Sequence, residues 1–213
     1  MFLTVDASSI AVAPFERRAD KQIVRALAQH PVALIGDAVQ RMGMLSAAIR
    51  PRTSLGPIAG SILPILVREG DNLAIHRALD EAQEGDVLVV NAQGYTDRAV
   101  FGGLLGAGCV ARGIAGVVID GALRDVEEFE ELGLPVYARA VSPAGPYKHG
   151  PGSVGMPVAC GNVVCNPGDV IVGDADGLIV LPVDAIAELL PRVEQQAAYE
   201  IDLKAGLVNG ASR

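Results

Sequence analysis

Gly102-Gly103-Leu104-Leu105 and, farther along, Asp120-Gly121-Ala122-Leu123-Arg124-Asp125 are the stretches whose residue types suit chemistry on a small anion. Backbone N–H groups at a helix N-terminus attract anions, and glycine lets a ligand approach the main chain. Gly102, Gly103, Leu104 and Leu105 therefore suit a carboxylate. Arg124 adds a planar fork of donors that grips a carboxylate or a keto-acid oxygen. Asp125 offers the hard oxygens that Mg²⁺ or Mn²⁺ takes, usually one or two carboxylates with water completing the shell. Together these groups suit an oxo-acid. The same residues also fit plainer roles: Asp125 a helix cap, Arg124 a solvated charge, Gly102-Gly103 a tight strand-to-helix turn. The glycines, continued by Gly106 and Gly108, do not spell G-x-G-x-x-G, and no P-loop Lys follows.

Those two turns must emerge at the same end of neighbouring strands, and the middle third of the chain has the pattern to place them there. Glu84-Gly85-Asp86 leads into the apolar run Val87 to Val90, and a Gly-rich helix follows from about Gly102 to Arg112. A strand Gly116 to Ile119, the turn Asp120-Gly121, a helix Arg124 to Glu131 and a strand Val136 to Arg139 come next. Alternating β and α segments with fully apolar strands predict a parallel sheet. Upstream, helical spacing after Pro14 predicts a helix over Glu16 to Gln29 and a second over Val32 to Met42, ended by Gly43. Ile58 to Val67 reads as a strand in which Pro64 predicts an edge or a bulge. Asp71-Asn72 can cap a helix through Leu79, and the Pro/Gly-dense stretch Ser142 to Gly155 predicts an ordered, irregular loop. Val158 to Cys160, Val163 to Cys165, Val170 to Val172 and Leu178 to Leu181, separated by turn signals, predict a small antiparallel meander. Asp184 introduces a last amphipathic helix, Ala185 to about Ala205, with a kink expected at Pro191.

Composition narrows the class. With 50% of its residues hydrophobic and 20% charged, the chain has the profile of one α/β domain over residues 1–213, which excludes disorder, coiled coil and collagen. Seventeen basic residues against 25 acidic ones leave no basic patch for nucleic acid or an anionic membrane. Cys109, Cys160 and Cys165 form no Cys-x-x-Cys pair and lie close to no histidine in sequence, so a reduced, cytoplasmic chain is expected and a zinc site is not. Met1 to Ala13 has no basic leader region, and Ile58 to Val67 is too short to span a bilayer.

A set of separate motifs resembles the RraA-like family. They are Gly85-Asp86-Val87-Leu88-Val89-Val90, Gly116-Val117-Val118-Ile119-Asp120-Gly121 with Arg124-Asp125, and Gly133 with Pro135-Val136-Tyr137-Ala138-Arg139. The likeness continues through Gly145-Pro146-Tyr147-Lys148, Gly150-Pro151-Gly152, Pro157-Val158, Pro167-Gly168-Asp169 and Asp174-x-Asp176-Gly177-Leu178-Ile179-Val180. The resemblance implies an α/β fold of the β/β/α swivelling type, with a mixed central sheet, flanking helices and a C-terminal helix. It implies a homotrimer or a pair of trimers with sites at subunit interfaces. It also implies a divalent-metal-dependent lyase, either a 4-hydroxy-4-methyl-2-oxoglutarate aldolase or an oxaloacetate decarboxylase. By the same likeness Asp125 holds Mg²⁺ or Mn²⁺ largely through water, Arg124 contacts the keto-acid as the catalytic group, and the backbone of Gly102, Gly103, Leu104 and Leu105 binds the pyruvate carboxylate. The chemistry is coherent, since C–C cleavage beside a carbonyl leaves an enolate that a metal and a guanidinium stabilise.

Two positions depart from the family's pattern. Where its aldolases carry an acidic residue ahead of the Arg-Asp pair this chain has Gly103, which leaves no side chain at that position. If that is a defect, Gly103→Asp or Gly103→Glu raises lyase activity, and Asp97 is the candidate to stand in. Where the aldolases carry a Glu on the C-terminal helix that reaches a neighbouring subunit, this chain offers Gln196, with Glu194 and Glu200 nearby. The same departures suit a non-catalytic regulator acting by protein contact, like the branch that inhibits ribonuclease E. A phosphohistidine carrier needs a His in the Gly-rich turn, and Leu105-Gly106-Ala107 has none. His76 reads as a buried structural histidine or a proton-transfer group, and His149 beside Lys148 as a contact to a second carboxylate or a surface residue. Asp37, Asp174 and Asp176 read as turn or cap residues, and Cys109 as core.

Overall fold

The computed structural model describes residues 8–210, so part of the stretch Met1 to Ala13 read for a leader lies outside the described residues. In chain order the elements are β1 (Ile10–Val12), α1 (Lys21–Leu27), α2 (Val32–Ala38), β2 (Arg50–Pro51), β3 (Ile58–Val67) and α3 (Leu73–Ala78). They continue with β4 (Asp86–Asn91), β5 (Ala99–Phe101), α4 (Gly103–Val110), β6 (Gly116–Leu123), α5 (Val126–Leu132) and β7 (Val136–Val141). The last are β8 (Gly152–Val154), β9 (Val158–Cys160), β10 (Val163–Cys165), β11 (Val170–Gly173), β12 (Leu178–Leu181) and α6 (Ile186–Gly210).

The parallel expectation holds along the spine of the sheet. β3, β4, β6 and β7 run parallel in that order, so that Leu63, Leu88, Val117 and Val136 fall in one row. Alternate residues serve different layers, as strand geometry requires. Leu63, Ile65, Leu88, Val90, Val117 and Ile119 pack under the helices with Ile75, Cys109 and Phe129. Ile62, Val87, Val89, Val118 and Tyr137 face Val158, Cys160, Cys165 and Leu178 on the other side. α1, α2 and α6 close a third layer over β11 and β12 through Leu27, Ile35, Ile179, Leu181 and Val193. Val87 to Val90 are fully buried because both faces of β4 are covered, which contributes roughly 1.5–3 kcal/mol per side chain. The result is the expected β/β/α arrangement with a mixed sheet and a C-terminal helix.

Several local expectations are corrected, each for a physical reason. β3 is central, with β4 on one side and β11 and β8 in succession on the other. Pro64 is tolerated because its missing N–H faces the gap between β11 and β8, while its carbonyl accepts from Gly155 N–H at 2.9 Å. α1 starts at Lys21 and not at Glu16: Asp20 caps it from Gln22 N–H at 2.7 Å, and Arg18 is turned inward onto the buried Asp86. α2 stops at Ala38, before Gly43, because Gln40 and Arg41 take left-handed φ values near 60°. The stretch Ser142 to Gly155 contains β8, and the predicted meander divides into a β9–β10 hairpin and a β11–β12 hairpin that joins the main sheet. Asp184 is spent on Arg17 across the surface, and α6 runs on past Ala205 with Pro191 inside it.

Asp120-Gly121 is not a turn after β6 but a register shift within it. Such a bulge re-aims the side chains that follow. Asp120 is 7% exposed; it pairs with Arg139 of β7 and accepts from Gly161 N–H at 2.7 Å, tying the β9–β10 hairpin to the sheet. Replacing Asp120 by Ala leaves Arg139 and that N–H without their acceptor, so Asp120→Ala is expected to cost about 3 kcal/mol, read as a lower urea midpoint at unchanged slope.

Candidate active site

β5, not foreseen from sequence, is what brings the two chemically suited stretches together. It lies parallel to the end of β6, with Phe101 opposite Leu123, so the residues that follow each strand emerge side by side. Arg124 N–H donates to the Phe101 carbonyl at 2.9 Å and locks that juxtaposition. α4 then begins at Gly103 with Gly102 as its N-terminal cap, and no side chain of its own turn caps it. The rings of Phe101, at the end of β5, and of Phe129, on α5, lie 5.6 Å apart and seat α5 at the corner where β5 passes into α4. Gly106 permits that approach, since a β-carbon there would come within 2.9 Å of the Phe129 ring.

Asp125 adopts the left-handed conformation, φ 60° and ψ 43°, which Asp tolerates better than most residues. The helix-cap reading is therefore displaced: Asp125 does not cap α5 but reaches back to α4, where its Oδ2 accepts from Gly103 N–H at 3.0 Å. Arg124 Nε lies 3.4 Å from the same oxygen, and both side chains are more than one-third exposed, a pairing too weak to hold the guanidinium. Oδ1 has no protein hydrogen bond among the described residues. Of the N–H groups expected to meet a carboxylate, that of Gly103 is spent on Asp125 and that of Leu105 on the Gly102 carbonyl at 3.0 Å. That leaves the N–H groups of Gly102 and Leu104.

The position that Gly103 leaves without a side chain is not empty. A β-carbon built on Gly103 would overlap the carboxylate of Glu128, on the first turn of α5, and would lie 2.6 Å from its Cδ. Glu128, which the sequence reading missed, thus brings an acidic group to the spot from a different element. The signal was available as the spacing Asp125-x-x-Glu128 at the start of a helix, since residues three apart share a face. Asp97, the proposed stand-in, is exposed on the approach to β5, where its backbone carbonyl accepts from the Ser142 hydroxyl at 2.8 Å.

Gly102, Arg124 and Asp125 open onto a cleft of about 200 Å³ lined also by Asn72, His76, Leu79, Leu104, Leu105, Pro146 and Lys148. Asn72 Oδ1 and both ring nitrogens of His76 are buried in its wall without a hydrogen-bond partner. Burial, reinforced by the positive charge of Lys148, pulls His76 down to about 4, so the ring is neutral near pH 7. Unpaired buried polar atoms are costly, so a wall that carries three of them suits polar occupants of the cleft, water or ligand. A larger groove of about 400 Å³ between α2, α6 and β10 is lined mainly by apolar residues, and its Asp169 is already spent on Asn166 and Val183.

The remaining residues singled out from sequence divide clearly. Lys148 lines the cleft, whereas His149 is exposed, stacks on Tyr147 and donates its N–H to Asp71. Asp37 pairs with Arg41, and Asp174 accepts from Val32, Asp176 and Gly177 N–H groups, as cap and turn residues do. Cys109 is fully buried, its thiol pushed up to about 12 by desolvation, which fits core packing. Gln196, Glu194 and Glu200 lie on α6 and do not line this protomer's cleft. Among the described residues no three His, Cys, Asp or Glu side chains gather as a metal cage, and no helix is long and apolar enough to cross a membrane.

Comparison with known proteins identifies the family and the fold. The chain is 36% identical, across 79% of its length and 80% of the relative's, to a Halalkalibacterium halodurans protein provisionally named a 4-hydroxy-4-methyl-2-oxoglutarate aldolase. It superposes on the RNA-processing inhibitor RraA of Thermus thermophilus with a TM-score of 0.67 at 30% identity, covering 72% of this chain and 93% of that one. Streptomyces coelicolor RraAS2, described as an unusual member of the RNase ES inhibitor RraA protein family, superposes with a TM-score of 0.77 at 29% identity, covering 88% and 99%. Residues 32–180, from α2 through both carboxylates to β12, match the family model described as Aldolase/RraA, and the chain belongs to the RraA-like family.

Proposed function

We propose that this protein is a divalent-metal-assisted lyase that releases pyruvate from an oxo-acid, by retro-aldol cleavage of a 4-hydroxy-4-methyl-2-oxoglutarate-type substrate or by decarboxylation of oxaloacetate. The observation that carries the reading is the convergence of Arg124, Asp125 and Glu128 on Gly102-Gly103 at the mouth of one cleft. Two hard carboxylates beside each other suit a hydrated Mg²⁺ or Mn²⁺, so Asp125 and Glu128 are the residues that would hold it. When bound, the cation supplies Lewis-acid polarisation of the substrate's C2 oxygen. Arg124 neutralises the negative charge that grows on that oxygen as the C3–C4 bond breaks and its electron pair moves toward C2. In the decarboxylation the C4 carboxylate departs as CO₂ and C3 then takes up a proton. In the retro-aldol cleavage the 4-hydroxyl loses its proton to water, a second carbonyl compound is released, and C3 again takes up a proton to complete pyruvate. The Leu104 N–H and the start of α4 suit the C1 carboxylate, and Lys148, Asn72 and neutral His76 suit the polar far end. We extend the reading to a homotrimer or hexamer, supported by apolar surface that this chain leaves exposed: Leu104 at 88%, and Tyr199, Leu203 and Leu207 on successive turns of α6.

Pyruvate release from oxaloacetate and from 4-hydroxy-4-methyl-2-oxoglutarate is expected with added Mg²⁺ or Mn²⁺. EDTA should abolish it, and Arg124→Ala should lower kcat/KM by about 10²–10³-fold. A folded protein with no turnover above the metal-only background would favour the regulator reading. Because Glu128 fills the space over Gly103, Gly103→Asp is expected to reduce activity by collision and repulsion and not to raise it. The double variant Gly103→Asp/Glu128→Ala should recover what either single change loses, a cycle read in kcat/KM.

The titration of His76 gives a further check. Its folded value is depressed to about 4 against about 6.5 unfolded, so on acidification the unfolded chain takes up a proton that the folded chain does not. The stability it contributes is complete above about pH 6.5 and is lost as pH falls toward 4. Urea midpoints compared at pH 7 and pH 4.5 should drop less for His76→Gln than for the wild type.

A further inference from the structure

Residues 142–149 form a strap across the mouth of the cleft, with Pro146 and Lys148 facing it. Backbone bonds fasten the strap at intervals: Ala99 N–H to the Ala144 carbonyl at 2.9 Å, Tyr147 N–H to the Gly70 carbonyl at 2.8 Å, and Asn72 N–H to the Tyr147 carbonyl at 3.0 Å. His149 N–H adds a bond to the buried Asp71 Oδ2 at 2.7 Å. Between the first and second of these fastenings lies Gly145, and here a side chain does the work. Arg98, which does not line the cleft, donates Nη1 to the Gly145 carbonyl, and its guanidinium carbon sits 4.3 Å from the centre of the Tyr147 ring. Tyr147 is 48% exposed, so burial alone does not fix its ring. Gly145 also faces Arg124 closely, for a β-carbon at 145 would stand 2.8 Å from Arg124 Nη1. One glycine therefore has Arg98 on its carbonyl and Arg124 against its α-carbon.

Resting on the lyase reading above, we propose that Arg98 is a positioning residue for the reaction: by clamping Gly145 and Tyr147 it fixes the wall that orients the Arg124 guanidinium and holds Lys148 over the cleft. Arginine is suited to both contacts at once, because its planar fork donates in the plane while its face stacks on an aromatic ring. A lysine can keep the bond or the ring contact, but it has no plane to satisfy both. The weak Arg124–Asp125 pair leaves the guanidinium dependent on this wall.

The test compares wild type, Arg98→Met, Arg98→Lys and Gly145→Ala by amide hydrogen exchange and by steady-state pyruvate release from oxaloacetate with Mg²⁺. Loss of a charged hydrogen bond and a cation–π contact in Arg98→Met is expected to speed exchange across 144–149 by roughly tenfold or more, with β6 and α5 unchanged. KM for oxaloacetate should rise by a similar factor, more than kcat falls, and Arg98→Lys should recover part of both effects. Gly145→Ala, which displaces Arg124 directly, should lower kcat/KM without loosening the rest of the strap. Unchanged exchange in Arg98→Met, or faster exchange with wild-type kcat/KM, overturns the assignment. A wild type that releases no pyruvate overturns the lyase reading, and the clamp is then decided by exchange alone: a loosened strap in Arg98→Met sustains it, and an unchanged one removes it.

Discussion

The hydrogen bond from Gly103 N–H to Asp125 Oδ2, 3.0 Å long, joins the first residue of one helix to the residue that precedes another, and the site depends on it. A helix N-terminus carries orphan N–H groups and partial positive charge, so a carboxylate placed there is stabilised without a cap from the helix's own sequence. Asp125 can reach it only because its backbone turns left-handed at the end of β6. Gly102 and Gly103 need no left-handed backbone; what their bareness provides is room for neighbouring side chains. Side chains there would meet Asp125, Arg124 and Glu128.

Around that bond the charges are arranged in a graded way. Asp125 and Arg124 line the cleft side by side, Glu128 stands over Gly103 beside them, and Lys148 faces the cleft from the strap. The wall contributes buried groups that are polar but uncharged, His76 held neutral by burial and Asn72 with an unpaired oxygen. Such a cleft carries no buried ion pair among the described residues, and its wall offers neutral hydrogen-bonding groups beside the charges of Arg124, Asp125 and Lys148.

How much of this was legible follows from the range over which each feature is decided. The spine strands were readable because β4 and β6 carry apolar runs on both faces and β7 opens on one, a local property of the sequence. The glycine and Arg-Asp stretches were readable because their residue types are rare in combination. β5 was not, since Ala99–Phe101 is three residues long and is a strand only because β6 lies beside it after its bulge. Glu128 was missed because an acid on the first turn of a helix ordinarily satisfies the helix itself; its position over Gly103 depends on Phe129, which docks α5 against Phe101 of β5 and Gly106 of α4.

By itself the sequence determined the α/β class, the parallel middle third, the family, and the roles open to Gly102 through Leu105, Arg124 and Asp125. Those follow from composition, apolar runs and motif spacing, which are properties of neighbouring residues. Only the tertiary structure decided that Asp125 serves α4 and not its own helix, that Glu128 fills the space left by Gly103, and that Pro64 lies in a central strand. Each of these is settled by which backbone stands within hydrogen-bonding reach of which side chain, and that proximity is created by strand register and helix docking across many residues of chain.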